Sequence, residues 1–208
     1  MNSGTVGSSS RTIRLSAGTT APGAPLEFYV VRVSEGALTP SLHDLRPGDP
    51  VGVTVEAAGH FTLDRVPDAE DLWLISTGTG LAPYISMLRT DDPWRRFHRI
   101  AVVHGVRHAP DLSYQPELAA LSAAHDRRLT YVPVVSREAA PGAVQGRIPQ
   151  QLAAIEAAAG FSLSAASSQV LLCGNPDMLS EMEALLAARA MHRHRRDRPG
   201  NVLLERYW

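Results

Sequence analysis

Residues 72–83 read LWLISTGTGLAP, and they mark an abrupt change from an apolar strand to a helix. The apolar part has the length of a buried strand, and a helical pattern begins near Ala82. Glycines at such a junction let the backbone approach a ligand, and the following helix directs N–H groups and its positive dipole end there. The segment therefore predicts a pyrophosphate-binding turn made by Thr77, Gly78, Thr79 and Gly80. The spacing is neither G-x-G-x-x-G nor a Walker loop, so an ordinary strand-to-helix turn is the alternative.

Downstream of this segment, strands and helices alternate. The predicted strands cover residues 72–76, 100–105, 129–135, 170–173 and 202–205, and the predicted helices cover 82–89, 116–124, 150–156 and 176–189. Strands separated by helices of this length indicate an α/β fold with a doubly wound parallel sheet, which binds ligands at the carboxyl ends of its strands. The candidate residues fall at those ends.

The first third of the chain has a different pattern. Residues 26–33 and 51–56 are predicted strands, and Thr39 is a predicted N-cap followed by Pro40 and a short helix through Leu45. These elements resemble part of an antiparallel β-barrel. We therefore predict two domains, a partial barrel with a loose N-terminal tail in residues 1–66 and a nucleotide-binding domain in residues 67–208.

Composition excludes several classes of protein. The net charge is −1, which gives no reason to expect nucleic-acid or bulk membrane binding, and no apolar run reaches membrane-spanning length. The single cysteine, Cys173, excludes an internal disulfide framework and a cysteine-only metal site, and it favours a cytoplasmic location. The first ten residues lack the features of a signal peptide. We expect a monomer without a metal site.

Three arginines follow predicted strands and are candidates for binding phosphate. Because the chain contains no lysine, any cation for phosphate other than histidine must be arginine. Arg107, Arg137 (after Ser136) and Arg147 would together form a pocket for a dianionic phosphate, such as the 2′-phosphate of NADP. A solvated surface position is the alternative for each one alone. An NAD site would instead need an acidic residue for the ribose, and Glu138 is adjacent.

The segment Cys173-Gly174-Asn175 ends a predicted strand and begins a helix. Gly174 allows close backbone approach, and Asn175 is a predicted N-cap. Cys173 is either an apolar core residue or a group that faces a flat ring. A hydrolytic role for Cys173 is disfavoured because no histidine lies beside it in the sequence.

Two further features lie near the end of the chain. Residues 192–198 (HRHRRDR) are either a solvated loop near a helix C-terminus or a docking patch for an acidic protein. The terminal aromatic residues Tyr207 and Trp208 are either core residues or a cover for a planar ligand.

From about Leu26 to Trp208, the chain resembles the bacterial ferredoxin/flavodoxin–NADP reductases. The resemblance rests on LEFYVVRVSEGALTPSL, LWLISTGTGLAPYISMLR, VVHGVRHAPDLSYQPEL, VVSRE, GRIP, LLCGNPDML and ERYW, in that order. It implies an FAD-binding barrel before an NADP-binding sheet, with FAD passing electrons between NADPH and ferredoxin or flavodoxin.

The resemblance also implies roles for individual residues. Thr77 to Gly80 would hold the NADP pyrophosphate, the three arginines would hold the 2′-phosphate, and Cys173 with Gly174 would border the nicotinamide. The FAD pyrophosphate would meet the backbone of Ala37, Leu38 and Thr39, and the flavin assembly would pack against Tyr207 and Trp208.

The chain departs from the family pattern near its N-terminus. The family has about three more strands before this point, ending in an Arg-x-Tyr-Ser motif that binds FAD. Here residues 11–17 read RTIRLSA, so Ser16 matches the motif serine while Leu15 stands at the tyrosine position. We therefore expect a truncated or degenerate FAD domain. An NADPH-dependent flavoenzyme is the first hypothesis, and a non-catalytic NADP-binding module that has lost its flavin site is the alternative.

Overall fold

A six-stranded, all-parallel sheet organises the protein. The computed structural model describes residues 27–32, 35–52, 59–195 and 197–206. The strands are β1 (Asp71–Thr77), β2 (Arg99–Val106), β3 (Leu129–Val135), β4 (Val144–Gln145), β5 (Ser168–Gly174) and β6 (Val202–Arg206). Their order across the sheet is β4-β3-β2-β1-β5-β6. The order reverses direction at β1, so this strand lies at the topological switch point.

Helices cover both faces of the sheet. They are α2 (Ala82–Leu88), α3 (Asp92–Arg96), α4 (Gln115–Ala124), α5 (Leu152–Ala159) and α6 (Pro176–Ala188). A further short helix, α1 (Thr39–His43), precedes the sheet and has no buried residue. Residues of α5 and α6 pack with one face of the sheet, whereas residues of α2, α3 and α4 pack with the other. Short 3-10 turns occupy Leu63–Arg65, Gly78–Leu81, Ala109–Asp111 and Ile148–Gln151.

The apolar runs in the sequence become strands buried on both faces. Six of the seven residues of β1 are buried, and every residue of β5 is buried. Alternate β1 side chains enter opposite cores: Trp73 and Ile75 pack towards α5 and α6, while Leu72 and Leu74 pack towards α2 and α4. Parallel sheets need such continuous hydrophobic runs because neither face meets water. This confirms the predicted doubly wound parallel sheet.

Some predicted boundaries were wrong, and two elements were missed. Leu38, not Thr39, is the N-cap of α1, so the helix begins one residue early, and no side chain caps it. Within the predicted strand 26–33, the described residues 27–32 contain a single bridge residue, Phe28, and no regular strand. The short elements α3 and β4 were not predicted. Much of the second predicted strand, 51–56, lies outside the described residues.

The chain that precedes the sheet contacts the face covered by α2 and α4. Leu63 and Val66 are buried in that core, and Arg96 donates hydrogen bonds to both of their carbonyls. Further upstream, Glu27 accepts a hydrogen bond from the Tyr114 hydroxyl at 2.5 Å, and this bond lowers the pKa of Glu27. Arg89 binds the same carboxylate at 3.3 Å, so Glu27 is tied to residues at the ends of α2 and α4.

Candidate functional site

The segments that leave the strands all meet at the carboxyl edge of the sheet. Arg147 follows β4, Arg137 follows β3, Arg107 follows β2, the Thr77–Gly80 turn follows β1, and Asn175 follows β5. Because this is also the strand order, each segment neighbours the next along the edge, with strands about 4.8 Å apart. The sheet therefore brings together the segments that the sequence predicted to form one site.

The turn after β1 packs tightly against the end of β5. A Cβ placed on Gly80 would lie 2.4 Å from the Cys173 carbonyl oxygen. Only glycine, which has no Cβ, avoids this clash. Gly78 has a φ of +53° and open space around the position of a Cβ. Gly80 is therefore buried and packs the turn after β1 against the end of β5. Gly78 has open space beside it, where a ligand can approach the backbone.

A second close contact joins Gly174 to Thr77. Gly174 has a φ of +136°, and a Cβ there would lie 2.2 Å from the Thr77 hydroxyl oxygen. The same oxygen accepts a hydrogen bond from the Asn175 backbone N–H at 2.8 Å. The Asn175 side chain accepts bonds from Asp177 N at 2.8 Å and Met178 N at 3.2 Å, which confirms it as the N-cap of α6. The start of α6 is therefore fixed beside the Thr77–Gly80 turn.

Arg107 and Arg137 lie on adjacent backbone segments. The Arg137 N–H donates to the Arg107 carbonyl at 3.0 Å, and both residues are exposed. The Ser136 hydroxyl donates to the Val106 carbonyl at 3.1 Å, which joins the two strand ends. Within the described part of the chain, neither guanidinium group has a hydrogen-bond or ion-pair partner. Two exposed cations held side by side are suited to binding a dianion.

Arg147 is in a different state from the other two arginines. Its guanidinium lies 3.1 Å from a carboxylate oxygen of Glu181 on α6, and Gln150 donates to the other oxygen at 2.7 Å. The Arg147 side chain is still 56% exposed. A phosphate would have to compete with Glu181 for this arginine.

The acidic residue next to Arg137 contacts the backbone of a neighbouring turn. One carboxylate oxygen of Glu138 accepts a hydrogen bond from Ala109 N at 2.7 Å, and the other lies 3.7 Å from His108 Nδ1. The carboxylate therefore holds the turn after β2 beside the end of β3. This contact gives Glu138 a structural role that does not involve a ribose.

Cys173 is completely buried. Its side chain lies in the core on the α2 side of the sheet, and its backbone pairs with β1 and β6. A thiol with no exposed surface cannot serve as a hydrolytic nucleophile without rearrangement. At this strand end, Gly174 and Asn175 are the residues that reach the edge of the sheet.

Sequence reasoning missed one buried polar residue at this edge. His104, on β2, has no exposed surface, and its Nε2 lies 3.0 Å from the carbonyl oxygen of Gly78. Its Nδ1 lies 3.3 Å from the Tyr131 hydroxyl of β3. Burial lowers the pKa of His104 to about 4, so the ring is neutral at physiological pH. The sequence feature that could have identified His104 is a polar residue near the end of an otherwise apolar strand.

The residues predicted to contact FAD are only partly described. Ala37 and Leu38 are exposed and Thr39 is half-buried, at the start of α1. The predictions for Ser16, Tyr207 and Trp208 lie outside the described residues.

The basic run near the end of the chain lies at the opposite edge of the sheet. Arg193 pairs with Val202 at the start of β6, and Arg195 bridges to Arg198. The side chains of Arg193 and Arg198 line a shallow cavity with Ala187 near the end of α6. The register of β6 with β5 places the start of β6 level with Val170, four residues, or about 13 Å, from Gly174. The interpretations of this run as a solvated loop or as a docking patch for an acidic protein stay predictions.

Two classes of feature were not found in the described ranges. No helix there is both long and apolar enough to cross a membrane. Nor do these residues bring together three or more His, Cys, Asp or Glu side chains that could hold a metal ion.

A glycine turn after the switch-point strand of a doubly wound sheet is typical of nucleotide-binding domains. A family profile described as the oxidoreductase NAD-binding domain matches residues 74–184. The chain belongs to the flavodoxin/ferredoxin–NADP reductase family. It is 43% identical over 186 residues to such a reductase from Shigella flexneri and 42% identical to that from Escherichia coli K12. Each alignment covers 88% of this chain and 75% of the relative.

A solved structure supports the same assignment. The chain is similar to a ferredoxin NADP+ reductase from Neisseria gonorrhoeae, crystallised with bound FAD and NADP, with a TM-score of 0.86 and 29% identity. The match covers 93% of this chain and 79% of that one. These comparisons confirm the family resemblance and the sheet, whereas the partial barrel stays a prediction.

Proposed function

We propose that this protein is an oxidoreductase that moves electrons between NADPH and ferredoxin or flavodoxin. The observation that carries the proposal is the meeting of the Thr77–Gly80 turn with Arg107 and Arg137 along one edge of the sheet. The names of the relatives supply the reaction and the acceptor proteins. No observation favours the non-catalytic alternative.

The residues present fit NADP(H) by their chemistry. The Thr77–Gly80 turn offers an open backbone surface at Gly78 for the pyrophosphate. Arg107 and Arg137, with Ser136 between the strand ends, would hold the 2′-phosphate. Arg147 would join them by leaving Glu181. An NAD(H) site would need an acidic residue to bind the ribose. The Glu138 carboxylate instead accepts a hydrogen bond from the backbone of Ala109, which favours NADP(H) over NAD(H).

The nicotinamide would lie beside the end of β5. Cys173, Gly174 and Asn175 would border it, with the buried Cys173 supporting the strand end from beneath. The contacts of Gly80 and Gly174 with their neighbouring strands leave little freedom for the backbone here. A rigid edge holds the reacting ring at a fixed position, and such orientation is the main contribution of the protein to hydride transfer.

FAD would complete the reaction, since when bound it accepts a hydride from NADPH and passes electrons on singly. Ala37, Leu38 and Thr39 would direct backbone N–H groups at its pyrophosphate, as the family resemblance implies. Ser16 would contact the flavin, and Tyr207 and Trp208 would pack along it. We place this group in the proposed domain of residues 1–66, and NADP(H) in the domain of residues 67–208.

The 2′-phosphate assignment is tested by a double substitution, Arg107→Ala with Arg137→Ala. Each lost charge-assisted contact is worth about 1.5–3 kcal/mol. We therefore expect kcat/KM for NADPH to fall at least about 100-fold, whereas kcat/KM for NADH changes by less than about threefold, measured with ferricyanide as acceptor. Arg195→Ala with Arg198→Ala removes two exposed arginines from the other edge and is the matched control. Equal losses for both nucleotides would refute the assignment.

The flavin part of the proposal needs a separate measurement. The visible absorption spectrum of freshly purified protein should show bound flavin that bleaches on addition of NADPH. A colourless protein that still binds NADPH would support the non-catalytic module instead.

A further inference from the structure

A chain of hydrogen bonds runs beneath the glycine turn and plays no part in the contacts proposed so far. It begins at the Tyr131 hydroxyl on β3, passes through the His104 ring on β2, and ends at the Gly78 carbonyl in the turn after β1. It therefore crosses three neighbouring strands at the carboxyl edge of the sheet. Its central member has no exposed surface, so it cannot contact a ligand itself.

The direction of each bond follows from the chemistry of the groups. A carbonyl oxygen only accepts, so His104 Nε2 carries the hydrogen and donates to Gly78 at 3.0 Å. In a neutral imidazole the other nitrogen is then an acceptor, so the Tyr131 hydroxyl donates to Nδ1 at 3.3 Å. The Gly78 carbonyl thus fixes the tautomer, and the Tyr131 hydroxyl supplies a donor for the remaining nitrogen.

The bond at Gly78 fixes more than one carbonyl. In a planar trans peptide, the C=O of Gly78 and the N–H of Thr79 point in opposite directions. Because the carbonyl points towards His104, the Thr79 N–H points to the opposite side of the peptide plane. Gly78, at φ +53° with open space around it, has no side chain whose packing would hold this plane. The backbone bonds of the 3-10 turn Gly78–Leu81 and the bond from His104 therefore hold it together.

We propose that His104 is a positioning residue, which with Tyr131 orients the Gly78–Thr79 peptide towards the pyrophosphate of NADP(H). This rests on the function proposed above and adds to it two residues that contact neither the nucleotide nor the flavin. In the neutral ring, Nε2 donates to the Gly78 carbonyl while Nδ1 accepts from the Tyr131 hydroxyl, so both ring nitrogens have a partner. Burial of His104 keeps the ring in that neutral form.

The test compares two ligands on three proteins. NADP+ contains both the pyrophosphate and the 2′-phosphate, whereas 2′-AMP contains the 2′-phosphate and no pyrophosphate. His104→Leu removes the donor with little change in volume, and His104→Gln retains an N–H donor and an acceptor oxygen. Dissociation constants are measured by isothermal titration calorimetry at pH 7.5, on variants whose urea unfolding curves are cooperative.

We expect His104→Leu to weaken NADP+ binding about tenfold, the cost of about one well-placed hydrogen bond. Binding of 2′-AMP should change by less than about twofold, and His104→Gln should recover most of the NADP+ affinity. If His104→Leu does not fold, Tyr131→Phe tests the same chain of bonds, with an expected loss of about threefold for NADP+ alone.

Two results would overturn the proposal. One is unchanged NADP+ binding in His104→Leu. The other is an equal loss for NADP+ and 2′-AMP, which would indicate general damage to the edge. Failure of the wild-type protein to bind either ligand would instead refute the proposed function, and with it this inference.

Discussion

His104 should make the stability of the protein depend on pH in a way that a single substitution removes. Burial lowers its pKa from 6.5 to about 4, an effect that outweighs the opposing influence of the Gly78 bond and of the Asp111 charge. The unfolded chain therefore binds a proton near pH 6.5, and the folded chain does so only near pH 4. The stability contribution is complete above about pH 7 and is lost as the pH falls from about 6.5 to 4.

The size of this effect follows from the difference between the two pKa values. Each pH unit of difference corresponds to 1.36 kcal/mol, so the full contribution is about 3 kcal/mol. Between pH 7.5 and pH 4.5 the folded protein should lose about 2.5 kcal/mol through His104. Such a loss is a large fraction of the 5–15 kcal/mol that stabilises a typical domain.

Urea unfolding of the wild-type protein and His104→Gln at both pH values isolates this term. The other histidines and the carboxylates titrate in both proteins, so their contributions cancel in the difference. The free energy of unfolding of the variant should fall less than that of the wild type between pH 7.5 and pH 4.5, by about 2.5 kcal/mol. Parallel losses in the two proteins, or an NMR titration that places the His104 pKa near 6.5, would refute the reasoning.

Two further substitutions test the packing of the same edge. Gly80→Ala would place a Cβ 2.4 Å from the Cys173 carbonyl oxygen, a backbone clash that should cost about 3 kcal/mol in urea unfolding. Gly78→Ala, in open space at φ +53°, should cost only about 1 kcal/mol, and similar costs for the two variants would contradict the two roles. Asn175→Ala removes the N-cap of α6 and should lower the free energy of unfolding by about 1 kcal/mol, with Asn175→Asp as the control that keeps a capping oxygen.

The sheet could be predicted from the sequence because its strands are buried on both faces. Such strands are continuous apolar runs, and the intervening helical segments force a parallel arrangement. Once the sheet is parallel, the residues after each strand must share one edge. The meeting of Thr77, Arg107 and Arg137 follows from this topology.

The remaining features depend on contacts that no local pattern reveals. β4 has two residues, Val144–Gln145, and is too short to show any periodicity. The pairing of Arg147 with Glu181 joins residues 34 apart, through the packing of α6 near the end of β4. His104 was missed because a single histidine in a strand gives no indication of its partners, which lie on two neighbouring strands.

The two edges of the sheet carry different groups, and this difference bears on where a protein partner would dock. The tight contacts of Gly80 and Gly174, the exposed arginines and the neutral His104 all lie at the carboxyl edge. A flavin that receives a hydride from NADPH would have to lie within reach of the nicotinamide proposed at that edge. The basic run near residue 193 meets the start of β6, about 13 Å along the strand from that edge. Its charge could raise the rate at which an acidic protein encounters the chain, whereas electron transfer would need that protein to sit closer to the carboxyl edge.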